Sequence, residues 1–169
     1  TREKIMGNDD VEISGILSGG HDRVPFGITY TAHKPSVQYF DQASPWAQLH
    51  AALLKKFPGK MISFVDFTRD DNKVLFRTWG DRTPSDYYIL DRGNANKIMQ
   101  VGSRYPWFDG KPLAQMKPIE FKARDGKTIY GLYTAPAGAG PHPLVVMPHG
   151  GPFYVADSWG FDDSVEFLA

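Results

Sequence analysis

The sequence predicts a mainly β chain that changes character close to Gln115, and three observations carry that expectation. Short runs rich in β-branched and aromatic residues, broken by Gly, Asp, Asn and Pro, fill the part up to that point. A single stripe at helical spacing interrupts them. Beyond a Pro-rich connection, a hairpin pattern leads into the unbroken apolar run Leu144-Val-Val-Met147, the kind of strand that is covered on both faces in a parallel sheet. The expected division is therefore 1–115 for the first unit and 116–169 for the second.

Along the chain, Gly27 to Thr31 and Ser36 to Phe40 flank Ala-His-Lys-Pro and read as a hairpin. Ser44 is the expected N-cap of a helix with Pro45 at its first position, and Trp46, Leu49, Leu53 and Phe57 form its inward stripe until Pro58-Gly59 ends it. Four runs follow: Met61 to Phe67, Lys73 to Trp79, Asp86 to Asp91 and Lys97 to Val101. Their short polar connections predict a four-stranded antiparallel meander, and a meander of roughly 40 residues is the size of one β-propeller blade. The first hairpin would then belong to a neighbouring blade. A closed propeller needs about four blades or more, so this reading makes residues 1–115 the C-terminal blades of a larger ring. A self-contained antiparallel sheet carrying one helix fits the same pattern.

The connection Tyr105-Pro-Trp-Phe-Asp-Gly-Lys-Pro112 marks the expected boundary. Pro118 to Ala123 and Thr128 to Thr134 flank Arg124-Asp125-Gly126, a tight hairpin turn in which the glycine supplies positive φ. Small residues and prolines from Ala135 to Pro143 lead into the apolar run. A helix is expected to start near Asp162, with Asp163 as cap and Glu166 reaching back, and with Val165, Phe167 and Leu168 on its apolar face.

Composition narrows the function classes. The 19 basic and 19 acidic residues cancel and neither sign forms a block, which argues against nucleic acid or an anionic membrane as partner. With no cysteine, disulfides, thiolate metal sites and a cysteine nucleophile are excluded. The first fifteen residues lack the apolar core of a signal peptide, and no apolar run approaches the roughly 20 residues of a spanning helix. The compartment stays open.

The chemistry lies in His149-Gly150-Gly151-Pro152, directly after the apolar run. A strand that breaks into His-Gly-Gly is how many serine hydrolases build half of an oxyanion hole, where backbone N–H groups stabilise the charge that develops on the former carbonyl oxygen. Removing one such donor typically costs about 3 kcal/mol in the barrier. Glycine suits the task because its backbone can approach a substrate closely. Gly150 and Gly151 are the expected oxyanion-hole backbone, with the Gly151 N–H as the donor. His149 is expected to line the site or brace the loop, because the catalytic histidine of an α/β-hydrolase follows the serine and the acid in chain order. A plain tight loop is the competing reading of the segment. No Gly-x-Ser-x-Gly elbow occurs in the sequence, and neither Ser158 nor Ser164 sits in a strand-turn-helix context.

No metal or cofactor site is expected. His142 and His149 are seven residues apart across a strand, which would send them to opposite faces, and His21, His33 and His50 have no ligand spacing. Asp70-Asp71-Asn72 lacks the glycine and distal glutamate of a calcium loop and reads as a turn.

Taken in order, these motifs resemble the propeller-to-catalytic-domain junction of the prolyl oligopeptidase family of serine peptidases, with acylaminoacyl-peptidase and dipeptidyl-peptidase-like members most similar. The residues concerned are Phe67-Thr-Arg-Asp70, Asp81 through Pro84 to Tyr87-Tyr88-Ile89-Leu90, Ala123 to Gly126, Pro143 to Met147, His149 to Pro152, and Trp159-Gly160-Phe161-Asp162 leading into Phe167-Leu168-Ala169. The resemblance implies the end of a β-propeller followed by the first strands of an α/β-hydrolase domain, a peptide substrate, and a triad of Ser, Asp and His downstream of Ala169. The chain is thus expected to be a truncated piece, inactive alone, whose oligomeric state is open. An esterase-type α/β-hydrolase and a catalytically silent propeller that binds partners are the alternatives.

Overall fold

In the computed structural model, residues 5–7, 11–108, 110–151 and 155–169 are described. They form three antiparallel sheets in succession, none closed on itself. The first has three strands in the order β1 (Ile13–Gly19), β2 (Val24–Thr31), β3 (Pro35–Tyr39). The hairpin expected from sequence is β2 and β3, with Gly27 opposite Tyr39 and Thr31 opposite Pro35. β1 adds to it as a further strand whose register shifts twice against β2.

Helix α1 (Pro45–Lys56) connects this sheet to the next. Pro45 occupies the first turn, where a missing N–H costs nothing. Ser44 is the N-cap by position, but its hydroxyl makes no capping bond. The turn into the helix is instead held by Asp41, whose carboxylate accepts from the Ala43 N–H at 2.8 Å. Ala47, His50 and Leu53 are buried, with Trp46, Leu49 and Phe57 packed at the edge. The inward stripe is as predicted, with a histidine at its centre.

The second sheet is the predicted meander: β4 (Met61–Phe67), β5 (Lys73–Gly80), β6 (Thr83–Asp91) and β7 (Lys97–Ser103), in sequence order. β6 starts earlier than the sequence indicated. Gly80 faces Thr83 across a two-residue turn, so Thr83-Pro84-Ser85 belongs to the strand and Ser85 takes φ 129°. Val74, Phe76 and Leu90 on one face join Leu53, Ile62 and Phe67 in the main core. The opposite end of the meander is tied by Asp70, as a hairpin turn requires. Its carboxylate accepts from the Thr68 hydroxyl and from the backbone and side chain of Asn72, bonds that hold its pKa down at about 2.

The two sheets meet through aromatic rings around α1. Phe26 of β2 lies 5.9 Å from Phe64 of β4, and His50 contacts both. Gly19 is required here, because a Cβ at that position would lie 2.4 Å from the Trp46 ring.

The third sheet is the hairpin β8 (Met116–Lys122) with β9 (Thr128–Thr134), in register from Met116 opposite Thr134 to Lys122 opposite Thr128. Gly126 takes φ +82° in the turn, as expected of the Asp-Gly pair. A single 3-10 turn, Pro106–Phe108, sits in the connection that precedes it. Two expectations for the remainder are corrected. Residues 144–147 are not a strand, and Leu144 and Val146 are 77% and 74% exposed. No described strand pairs with residues 144–147, so their backbone groups have no ladder to join. The terminal helix α2 (Asp163–Leu168) is capped by Asp162 and not Asp163; its carboxylate accepts from Ser164 N–H and Val165 N–H, both at 2.9 Å. Glu166 turns away from its own helix start and bonds the Ala114 N–H.

His50 makes the fold sensitive to acid. Its ring is fully enclosed, Nδ1 lies 2.8 Å from the Tyr39 hydroxyl, and Nε2 lies 3.2 Å from the Ile62 carbonyl. The carbonyl only accepts, so Nε2 carries the proton and Nδ1 accepts from Tyr39. Burial pushes the ring pKa below its usual 6.5, against the Ile62 bond, which raises it. Below about pH 6.5 the unfolded chain binds a proton that the folded ring refuses. His50's contribution is therefore complete above that pH and declines as pH falls, by at most about 1.4 kcal/mol per pH unit. In urea titrations the unfolding midpoint should fall on acidification below about pH 6.5, and His50→Gln should flatten that slope. An equal slope in the variant would remove the histidine from the effect.

Candidate functional site

His149, Gly150 and Gly151 lie on a connecting segment without regular structure, exposed to solvent. Pro152, the last residue of the motif, lies outside the described residues, as does Asp109 of the earlier connection. The His149 Nδ1 approaches the Gly150 carbonyl oxygen at 2.6 Å, so this nitrogen carries a proton and donates. The bond braces the turn at Gly150. Neither Gly150 nor Gly151 donates its N–H to an acceptor among the described residues. Both amides are available to an outside acceptor.

The local structure does not itself demand glycine at these positions. Neither residue has positive φ, and a Cβ built on either meets nothing within 4 Å. What two missing side chains provide here is an open backbone surface. His142 and Leu144 to Met147 are likewise exposed, and no group of three or more His, Cys, Asp or Glu side chains gathers among the described residues. Ser164 is taken up in the first turn of α2, where its N–H bonds Asp162.

The flanks of the segment are better anchored than the segment itself. After it, Trp159 is only 5% exposed, and its indole N–H donates to the Met116 carbonyl at 3.0 Å. The Lys34 ammonium lies 5.0 Å from the centre of the same ring. Before it, the entry to β8 is fixed by two carboxylates: Asp81, from the β5–β6 turn, accepts from the Met116 N–H at 3.1 Å, and Glu166 accepts from the Ala114 N–H at 2.9 Å. Burial raises the Glu166 pKa; the Ala114 bond opposes the rise, neighbouring Asp81 adds to it and Arg82 counters it. Phe161 closes the arrangement against Tyr105 and Phe108, with ring centres 5.3 and 5.4 Å away.

Sequence reasoning missed Asp81 and Glu166 as anchors. An acidic residue in a hairpin turn or on a short helix reads as solvated, and the only available signal was the run of tryptophan and phenylalanine at Trp159 and Phe161 without helical or strand period. A cavity of about 440 Å³ between the first two sheets is lined by Ile16, Phe26, Phe64, Trp79, Ser158 and Trp159 among others, and by none of residues 144–151. Its polar lining is serine and threonine hydroxyls without a base beside them, so it offers nothing to activate a nucleophile.

Because the added methyl groups meet open space, Gly150→Ala and Gly151→Ala should leave the unfolding free energy within about 0.5 kcal/mol of the parent in denaturant titrations. A larger loss would mean that the glycines serve the fold.

No protein-family model matches the chain, and no solved structure matches it. Among curated proteins it is similar to dipeptidyl aminopeptidase BIII of Pseudoxanthomonas mexicana, with 33% identity over 111 residues. The match takes in 60% of this chain, and the chain spans 16% of the length of that relative. The similarity ties the chain to a peptidase.

Proposed function

We propose that this chain is the junction segment of a serine peptidase that hydrolyses peptide bonds in short peptides through an acyl-enzyme. On this reading, residues 1–115 are the last blades of a β-propeller and residues 116–169 open an α/β-hydrolase domain. The similarity to a dipeptidyl aminopeptidase over 111 residues carries the proposal. The meander β4–β7, with its short turns and sequential order, is what a blade requires.

In the proposed reaction a serine attacks the scissile carbonyl, a histidine accepts its proton and later delivers it to the leaving amine, and an aspartate orients that histidine. These three residues are assigned to chain beyond this sequence. The segment here contributes electrostatics. As the carbonyl becomes tetrahedral, negative charge grows on its oxygen, and a fixed N–H from Gly151 stabilises it without reorganisation. The free amide of Gly151 and the open surface around it support this role. His149, bonded to the Gly150 carbonyl, braces the turn that aims the amide. The second donor is the N–H of the residue after the serine.

Treatment of the full natural polypeptide with a fluorophosphonate, followed by peptide mapping, is expected to label one serine within a Gly-x-Ser-x-Gly segment. A folded protein that takes no label would overturn the peptidase reading and favour a silent binding module. Release of aminoacyl anilides in preference to simple aryl esters is expected in the same preparation, and the reverse preference would make it an esterase. Gly151→Pro deletes the proposed donor and should lower turnover by about 100-fold or more with a much smaller change in KM. Unchanged turnover would remove Gly151 from the oxyanion hole.

A further inference from the structure

We propose that Asp81 and Trp159 are positioning residues, which hold the His149–Gly151 segment in place through a single backbone anchor, Met116. The proposal rests on the function proposed for that segment, and its geometric part stands without it.

Both backbone polar groups of Met116 are buried and both are met by side chains from elsewhere. Its N–H donates to Asp81 at 3.1 Å, and its carbonyl accepts from the Trp159 indole at 3.0 Å. On the other side Met116 is the register partner of Thr134, the last residue of β9. Thr134 thus faces Met116 across the hairpin and Trp159 bonds it, and the chain that carries His149–Gly151 runs between them. Asp81 fixes that point to the β5–β6 turn, hence to the four-stranded sheet that carries the main hydrophobic core. A segment held at both ends against one rigid body has far fewer positions open to it than one held at a single end.

The indole is gripped as well as bonded. A Cβ on Gly80 would lie 3.4 Å from its ring, and Lys34 of the β2–β3 turn covers it at 5.0 Å from the ring centre. Trp159 thus touches turns of the first two sheets while bonding the third. Glu166 repeats the arrangement two residues earlier through the Ala114 N–H, which keeps the strand entry from rotating about one bond. An oxyanion donor displaced by a fraction of an ångström loses much of its effect, so an anchor this far along the chain bears on turnover more than on binding.

The test uses the full natural polypeptide, unchanged and as Asp81→Ala, Asp81→Asn and Trp159→Phe. Asp81→Asn keeps an oxygen that accepts from Met116, and Trp159→Phe keeps most of the ring and loses the N–H. Amide exchange is followed at Met116, together with the rate of thermolysin cleavage within residues 144–151 and the rate of fluorophosphonate labelling. Asp81→Ala and Trp159→Phe are expected to speed exchange at Met116 by about tenfold, speed cleavage within 144–151, and slow labelling, with Asp81→Asn close to the parent. Unchanged Met116 exchange in Asp81→Ala would overturn the anchor. Faster exchange at Met116 with cleavage within 144–151 and labelling unaltered would reduce it to a local tie and overturn the positioning role. If the parent itself takes no label, the peptidase reading fails separately, and cleavage within 144–151 alone decides whether the anchor holds the segment.

Discussion

The backbone of Met116 must be satisfied inside the protein, and the arrangement of the three sheets follows from how that is done. A buried N–H or carbonyl left without a partner costs about 1–3 kcal/mol. Here Asp81 meets the one and Trp159 the other, and each brings a different part of the chain to the same point. The β8–β9 hairpin has few other ties to the sheets before it. Two side-chain bonds and an indole under a lysine do what a shared strand edge does in a continuous sheet.

The first two sheets are joined on different physics. Their contact is a cluster of rings about α1, in which Trp46 meets Phe64 and Phe67 edge to face, Phe26 lies tilted against Phe64, and His50 fills the centre. Burial of large aromatic surface supplies the attraction, and the histidine adds direction because both its nitrogens are used. This polar centre fixes α1 against both sheets, since any sliding of the helix would leave the Tyr39 hydroxyl or the Ile62 carbonyl unpaired. The meander beyond needs less. Its inward face of Val74, Phe76 and Leu90 and its short turns specify it locally.

The segment proposed to face substrate has no regular structure and lies between two anchored points of the chain, Met116 and Trp159. His149 to Gly151 present amides that bond no acceptor among the described residues, and at Gly150 and Gly151 no side chain covers the backbone. Such a surface is useful only if its position is fixed from outside. The ties at Thr134 and Trp159 meet that need, which is why the anchor and the motif form one functional unit in the reading advanced above.

The sequence by itself determined the elements whose signals are local. The Pro45 start and apolar stripe of α1, the meander β4–β7 and the Asp125-Gly126 turn were all legible, because each depends on backbone preference or on a period of 3.6 or 2 within a few residues. Where the partner is distant, local reading failed. Residues 144–147 have the composition of a buried strand, yet a strand exists only beside another, and none of the described strands runs there. Thr83 to Ser85 read as a turn because the Pro and Ser signals outweigh a register set by β5. Asp162 replaced Asp163 as cap, a difference of one residue that dihedral angles decide. His50, Asp81 and Glu166 took their roles wholly from tertiary structure: a polar side chain is recognised as an anchor only when burial removes its water and folding brings a distant backbone group to replace it.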